Sequence, residues 1–216
     1  MSSFYIPKYN CVFIHIPKTA GSSIRNGFFN QDYIGPYYRF PYKYKQLYSF
    51  AFVRNPYDRL ISAYNFFHIK KLETDHYKEL KLSFDQFLKI AIDDSIGYRE
   101  CSIHNNIPQF IRHHTIPQTH DFHQLRYAKF IGRYEHIDTD WQKVCQDISA
   151  DYRPLDKNNV SKKIKWYDKW YQKYFPEHYK IRFYKKYFNS NNLDIINTFF
   201  DEDFTSLGYE KIKALP

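Results

Sequence analysis

The sequence has few cysteines and no long apolar run, and each scarcity excludes a class of protein. Its 216 residues include three cysteines, Cys11, Cys101 and Cys145, at distant positions and without a Cys-x-x-Cys pair. That pattern argues against a disulfide framework and fits a reducing compartment. No stretch approaches the roughly 18 apolar residues of a membrane span. The first residues lack the charged n-region and the apolar h-region of a signal peptide. We therefore expect a cytoplasmic protein without a membrane span.

Glycine is also scarce, whereas aromatic and basic residues are abundant. The chain has 6 glycines, 21% aromatic residues, and 32 Lys plus Arg against 23 Asp plus Glu, which gives a net charge of +9. A basic surface attracts nucleotides, acidic polysaccharides, nucleic acids or membrane surfaces and does not choose among them. At this length we expect a single domain over residues 1–216.

The most informative segment is residues 11–24 (CVFIHIPKTAGSSI). An apolar run typical of a buried strand ends in a short loop, and a helix can begin directly after it. Small residues bring backbone N–H groups close together, hydroxyls add donors, and a helix start attracts anions. The loop residues predicted to hold a phosphate-bearing ligand are Lys18, Thr19, Ala20, Gly21, Ser22 and Ser23. The alternative is a turn in which Ser22 or Ser23 only caps the helix.

A second segment of the same kind follows. Residues 49–53 (SFAFV) predict another buried strand, which delivers Arg54 to a loop before a helix that begins near Pro56. Ligands of open parallel α/β sheets bind at such carboxyl ends of strands. The planar guanidinium of Arg54 suits phosphate oxygens, and Ser62 on the following helix is a candidate second donor.

Residues 16–23 (IPKTAGSS) and 53–64 (VRNPYDRLISAY) together resemble the sulfotransferases that use 3′-phosphoadenosine 5′-phosphosulfate (PAPS). The similarity is to the branch of carbohydrate sulfotransferases and their bacterial relatives. Weaker likenesses at residues 117–119, 131–135, 158–161 and 203–209 extend it over nearly the whole chain. The resemblance implies a P-loop nucleotide-kinase-like α/β domain with a central parallel sheet flanked by helices and a helical C-terminal third.

The resemblance also implies roles for individual residues. The loop of residues 18–23 would bind the 5′-phosphosulfate, with Lys18 as a catalytic cation. Arg54 and Ser62 would hold the 3′-phosphate, and Tyr134 would lie near the adenine, unless Tyr134 is a core residue. No metal is expected, because Lys18, Arg54 and helix N-termini supply the positive field. The acceptor would be a carbohydrate or glycoconjugate hydroxyl.

The catalytic base is harder to identify. Many relatives place a His after a Gly about 20 residues before the Arg, but here Gly35 is followed by Pro36. Asp32, the only carboxylate in this connector, lies 22 residues before Arg54 (54 − 32) and is the candidate base. The alternatives are that Asp32 is a turn residue and that the base comes from the His-rich loop of residues 104–123.

The apolar pattern predicts further elements. We expect helices over residues 83–92, 107–113, 138–148, 166–175, 177–188 and 193–200, and a short strand over 128–132. His15 is expected inside the first strand as a structural residue, and the histidines of the 104–123 loop match no zinc-binding spacing.

Two other functions remain open at this point. A small-molecule kinase would need Mg²⁺ and ATP, and its loop should end in Gly-Lys-Ser/Thr, whereas here Lys18 precedes Gly21. A non-catalytic, basic nucleotide-binding or nucleic-acid-binding module would show steep salt dependence on polynucleotides. We favour the sulfotransferase and expect no nucleic-acid partner. The oligomeric state is not predicted.

Overall fold

The computed structural model describes residues 3–67, 82–98, 106–155, 180 and 182–215. The chain divides into two compact units, one of Met1–Arg59 with Ile116–Asn158 and one of Leu60–Thr115 with Asn159–Pro216. The single domain over residues 1–216 stays a prediction. Within the described ranges, we find no helix with the length and apolar character needed to traverse a bilayer.

The first unit contains a five-stranded sheet. Its strands are β1 (Ser3–Ile6), β2 (Cys11–Ile14), β3 (Ile34–Tyr37), β4 (Tyr48–Val53) and β5 (Phe130–Arg133). They lie in the order β3-β1-β2-β4-β5. The β2–β4 and β4–β5 pairs are parallel, whereas β1 is antiparallel to both β2 and β3. The predicted α/β class with a parallel sheet core is confirmed, although the whole sheet is mixed.

The described α-helices are α1 (Pro56–Asn65), α2 (Phe84–Ile92), α3 (Ile107–Thr115), α4 (Ile137–Asp147), α5 (Ser190–Phe199) and α6 (Asp201–Ser206). A π-helix, Ser23–Phe28, follows β2. The helix predictions over 83–92, 107–113, 138–148 and 193–200 are confirmed with small shifts of their ends. The predicted helix over 166–175 lies outside the described residues. Of that over 177–188, residues 180 and 182–188 are described, and residues 180 and 182–184 are helical.

The parallel strands form where the sequence is continuously apolar. All four residues of β2 and the last five of β4 are buried, as expected for strands covered on both faces. In the sheet core, Trp141 of α4 is fully buried and packs edge-on against Phe28 of the π-helix at 4.6 Å between ring centroids. Trp141 also contacts Phe50 of β4. The π-helix and α4 therefore close the core of the first unit.

The two antiparallel strands were not predicted. β3 contains the Gly35–Pro36 pair, joined by a cis peptide bond, and a proline ordinarily argues against a strand. Gly35 has a φ of 141°, and a Cβ there would lie 2.9 Å from the Ser3 carbonyl oxygen. β3 therefore requires glycine at this close approach to β1.

The second unit is helical in its described residues. Ser83 caps α2 and forms a reciprocal capping box with Gln86. The α5 residue Asn192 donates to the Asp85 carboxylate at 2.9 Å, which links α5 to α2.

Candidate functional site

Three parallel strands of the first unit deliver polar residues to one edge of the sheet. Ile14 of β2 is in register with Ala51 of β4, and Val53 of β4 with Arg133 of β5. The residues that follow each strand therefore lie along the same carboxyl edge. These residues are the loop of 15–23 after β2, Arg54 after β4 and Tyr134 after β5.

The loop after β2 has the backbone of an anion-binding nest. Lys18 and Ala20 have positive φ values of 72° and 74°, which non-glycine residues adopt rarely and at a cost of about 1–2 kcal/mol each. Between them, buried Thr19 donates its hydroxyl to the Ile16 carbonyl at 2.8 Å. Alternating backbone conformations of this kind turn successive N–H groups toward one point.

The helix after the loop adds donors. Gly21 and Ser22 are helical, and the first N–H groups of a helix have no partner within it. The exposed Ser22 side chain makes no capping hydrogen bond at the start of the π-helix. A hydroxyl and backbone amides therefore meet at the helix start, as the anion-site interpretation expects.

Gly21 is required by the ring of His15. A Cβ at position 21 would lie 2.0 Å from His15 Cδ2 and 2.1 Å from Nε2, a distance that side chains do not tolerate. The prediction that His15 lies inside the strand is wrong, because β2 ends at Ile14. His15 instead packs beneath the first helical residue, and its ring also contacts Phe13 at 5.8 Å.

Arg54 joins two of the three strand ends. Its Nη1 donates to the Lys18 carbonyl at 3.4 Å, and its guanidinium lies 4.2 Å from the centroid of the Tyr134 ring. Its Nε is buried and has no hydrogen-bond partner among the residues that the structure describes. A buried hydrogen-bond donor without an acceptor destabilises the folded protein. Arg54 therefore suits an anionic ligand whose oxygen atom accepts a hydrogen bond from Nε.

Tyr134 is 36% exposed, which excludes its interpretation as a core tyrosine. Its ring supports the Arg54 guanidinium through a cation–π contact. The structure therefore brings Lys18, Arg54 and Tyr134 together on one edge.

Residues that position this site were not assigned a site role from the sequence. The buried Gln118 side chain accepts from the Arg54 N–H and donates to the Arg54 carbonyl, both at 2.8 Å. Glu135 accepts from the Asn55 N–H at 2.7 Å. In the sequence, Gln118 was indicated only by the family-like segment 117–119. Its role depends on a contact with the end of β4, which is distant in sequence.

Arg59 is hydrogen-bonded to the loop that precedes Lys18. It is 1% exposed, its Nε donates to the Pro17 carbonyl at 3.0 Å, and its Nη1 donates to the Ile116 carbonyl at 2.9 Å. Asn55 Oδ1 accepts from the Tyr57 N–H at 3.0 Å, which caps α1. The helix that follows Arg54 is thereby fixed to the loop that precedes Lys18.

Ser62 lies on α1, half-buried, in the part of the helix that belongs to the second unit. Its role at the 3′-phosphate stays a prediction.

Asp32 is not brought to this edge. It lines a cavity of about 450 Å³ together with Ile6, Lys8, Tyr9, Gly27, Phe28, Phe29, Asn30 and Arg153. Ile6 is in register with Cys11, the first residue of β2, so the cavity lies at the amino end of that strand. Lys18 follows its other end, roughly 10 Å away along the strand at about 3.3 Å per residue. We therefore leave Asp32 out of the site.

Three described histidines of residues 104–123 make hydrogen bonds to the backbone. Nδ1 of His113 contacts the Tyr98 carbonyl at 3.0 Å, and Nδ1 of His114 contacts the Phe110 carbonyl at 2.9 Å. His120 Nδ1 accepts from the Phe122 N–H at 3.0 Å, which leaves the proton of the neutral ring on Nε2. Among the described residues, no three His, Cys, Asp or Glu side chains are arranged to hold a metal ion. His104 lies outside those residues.

The described cysteines are unreactive in character. Burial raises the pKa of the Cys11 thiol to about 12 and that of Cys145 to about 11. Since the thiolate is the nucleophile, both side chains act as small apolar core residues.

The sequence model described as "Sulfotransferase family" matches residues 2–210. Neither the curated proteins nor the solved structures contain a significant match to the chain. The match covers almost the full length and includes both strand ends that carry Lys18 and Arg54. The chain therefore belongs to the sulfotransferase family.

Proposed function

We propose that this protein transfers a sulfuryl group from PAPS to a hydroxyl of a carbohydrate or glycoconjugate. Membership of the family supports sulfuryl transfer in general, and the donor and acceptor are our inference. The observation that carries the proposal is the 3.4 Å contact of Arg54 Nη1 with the Lys18 carbonyl. It places two cationic residues on neighbouring strand ends, as a donor with two separated phosphate groups requires.

The loop of residues 18–23 would receive the 5′-phosphosulfate. PAPS, when bound, supplies the sulfuryl group and leaves as adenosine 3′,5′-bisphosphate (PAP). The N–H groups of Thr19, Ala20, Gly21, Ser22 and Ser23 and the hydroxyls of Ser22 and Ser23 would donate to the 5′-phosphate. The Lys18 ammonium would stabilise negative charge that develops on the leaving phosphate oxygen. An in-line displacement asks mainly for such positioning and charge stabilisation.

Arg54 would bind the 3′-phosphate, with Ser62 as a second donor. The unpartnered Nε of Arg54 within the described chain supports this role, because a phosphate oxygen would satisfy it. Tyr134 would hold the guanidinium flat and present its exposed edge to the adenine. We do not assign the base that accepts the hydroxyl proton to Asp32, which lies at the other end of β2.

Calorimetric titration with PAP, adenosine 5′-monophosphate (AMP) and ATP with Mg²⁺ tests the donor site. We expect PAP to bind without metal and at least about tenfold more tightly than AMP, since one charge-assisted hydrogen bond contributes about 1.5–3 kcal/mol. Arg54→Gln should remove this preference. Arg126→Gln is the matched control, because Arg126 is an exposed arginine of the same unit that pairs with Asp121.

A preference for ATP with Mg²⁺ would favour the kinase alternative. Equal affinity of wild type for PAP and AMP, or an unchanged preference in the Arg54 variant, would contradict the 3′-phosphate assignment. Lys18→Ala should abolish transfer of radiolabelled sulfate from PAPS while PAP still binds.

A further inference from the structure

The cavity of about 450 Å³ at the amino end of β2 is separate from the proposed donor site. Ile6, which lines it, is in register with the first residue of β2, whereas Lys18 follows the last. All of its lining residues belong to the first unit, and the proposed donor site contains none of them. Its volume lies in the range of roughly 300–1,000 Å³ that small-molecule sites occupy.

Charges of both signs line this cavity without pairing. Lys8, Asp32 and Arg153 all contribute to its walls, yet within the described part of the chain none of the three forms an ion pair. Asp32 would repel a simple anion, and the two cations would repel a simple cation. A ligand that carries an ammonium and a carboxylate complements all three side chains.

Arg153 is held in place with donors to spare. Its guanidinium carbon lies 5.1 Å from the centroid of the Phe28 ring, and its Nη2 donates to the Phe28 carbonyl at 3.4 Å. Its Nε and Nη1 make no hydrogen bond to any residue that the structure describes. A guanidinium binds a carboxylate through two parallel hydrogen bonds. Arg153 is therefore suited to the carboxylate of such a ligand.

Asp32 stands on a turn whose backbone is fixed in an uncommon conformation. Asn30 and Gln31 have positive φ values of 47° and 63°, which residues other than glycine adopt rarely. The Asp32 N–H donates to the Phe29 carbonyl at 2.8 Å, and the Gln31 N–H donates to the Arg25 carbonyl at 3.0 Å. Strained backbone of this kind concentrates at binding sites. The turn holds the Asp32 carboxylate at the cavity before a ligand arrives.

The rest of the cavity wall is apolar and aromatic. Ile6, Phe28 and Phe29 are 1%, 7% and 4% exposed, and each contributes to the lining. Tyr9 is half-buried, and its ring centroid lies 6.3 Å from that of Phe28 and 5.8 Å from that of Phe29. An aromatic side chain of a ligand gains both apolar contact and ring packing against such a wall.

We infer that this cavity is a second ligand site, which binds an aromatic α-amino acid. The ligand carboxylate pairs with Arg153, with Lys8 as a second cation, the ammonium pairs with Asp32, and the ring packs against Tyr9. The inference goes beyond the proposed function and does not depend on it, because no residue of the donor site takes part.

Calorimetry on the full chain without nucleotide tests this site with three matched probes. L-phenylalanine carries both charges, 3-phenylpropanoate lacks the ammonium, and 2-phenylethylamine lacks the carboxylate. We expect L-phenylalanine to bind at least about fivefold more tightly than either analogue, the size expected for an exposed charge pair.

Variants assign each preference to one side chain. Asp32→Asn should remove the preference for L-phenylalanine over 3-phenylpropanoate and keep that over 2-phenylethylamine. Arg153→Gln should do the reverse, and Arg153→Lys should keep part of what Arg153→Gln loses. Asp151→Asn and Arg126→Gln are the matched controls, because both residues are exposed, belong to the same unit and lie outside the cavity lining. Both controls should keep both preferences.

Three results would overturn the inference. The first is that neither L-phenylalanine nor L-tryptophan binds wild type at millimolar concentration. The second is that the two analogues bind as tightly as L-phenylalanine. The third is that Asp32→Asn leaves both preferences unchanged, which also decides the matter if Arg153→Gln does not fold. The PAP titration is independent of all three, so the donor site and this cavity stand or fall separately.

Discussion

At the carboxyl edge of the sheet, single residues shape the proposed site through their packing against the backbone as much as through their charge. The His15 ring occupies the space that a side chain at Gly21 would need. Gln118 uses one amide to hold both backbone groups of Arg54. Neither residue needs to touch the proposed ligand for its loss to displace the groups that would bind it. The effects of replacing Gly21 and of replacing Gln118 can be measured separately.

Gly21→Ala should destabilise the protein and weaken PAP binding. The new methyl group would overlap the His15 ring, and such overpacking costs about 1–3 kcal/mol. Urea denaturation measures the cost, and it should fall below about 0.5 kcal/mol when the same change is made in a His15→Ala background. Gly97→Ala is the control, since its Cβ would lie 3.3 Å from a flexible Gln109 amide. An equal cost in both backgrounds would exclude the His15 ring as the cause.

Gln118→Met should weaken the binding of PAP more than the binding of AMP. The variant leaves the Arg54 N–H and carbonyl without their partners, at about 1–3 kcal/mol for each buried group. We expect lower stability and at least about tenfold weaker PAP binding, with AMP binding little changed. Gln146→Met on the exposed face of α4 is the matched control. A parallel loss of PAP and AMP affinity would show that Gln118 supports the whole loop and not Arg54 alone.

The sequence predicted the positions of Lys18 and Arg54, because each lies in the loop after a buried strand and adjacent parallel strands end together. The catalytic role of Asp32 stays a prediction, and its place at the other end of β2 was not predicted because a separation of 22 residues does not specify which end of the sheet a residue occupies. Gln118 and Glu135 were missed for a related reason. Their partners are backbone groups of another strand end, which no local pattern encodes.

At the scale of elements, continuous apolar runs predicted β2 and β4, and helical spacing predicted α1 to α5 but not α6. β1 and β3 were not predicted, because β1 is a short N-terminal strand and β3 contains Gly35–Pro36. α4 carries a contact that we expect to weaken at low pH. Asp147 near its end accepts from the Tyr48 hydroxyl of β4 at 2.7 Å and from Lys143 Nζ at 3.1 Å.

Asp147→Asn should destabilise the protein at neutral pH but not at low pH. Burial alone would raise the pKa of Asp147, but the hydrogen bonds from Tyr48 and Lys143 outweigh it and lower the pKa. A lowered folded pKa adds stability above the unfolded value of about 3.9, and this stability is lost as the pH falls through the folded pKa. Solvent screening limits the effect to about 0.2–1 kcal/mol.

Urea titrations of wild type and Asp147→Asn between pH 7 and pH 2 measure this difference. Asp151→Asn, an exposed neighbour beyond α4, is the control and should show little effect at any pH. A difference between wild type and Asp147→Asn that persists undiminished at pH 2 would show that the hydrogen-bond geometry, and not the charge, stabilises the contact.

At the scale of the whole molecule, the effect of the net charge of +9 has to be separated from that of the proposed donor site. A diffuse positive charge attracts any polyanion, and such binding weakens steeply with salt because counterions are released. A built site acts differently, since its affinity depends on particular donors. This difference decides between a donor-binding enzyme and a basic nucleic-acid-binding module.

A single-stranded oligo-dT of 20 nucleotides should therefore bind weakly and without using the donor site. We expect dissociation constants of about 10⁻⁴–10⁻⁶ M near physiological salt, as for non-specific binding, with a steep loss at higher salt. Arg54→Gln should change this affinity by less than about twofold, because one charge among 32 basic residues is removed, while the same variant loses its preference for PAP. Fluorescence anisotropy over a salt series measures the first effect and calorimetry the second. Tight oligonucleotide binding that PAP displaces and that Arg54→Gln abolishes would instead make the carboxyl edge of the sheet a nucleic-acid site.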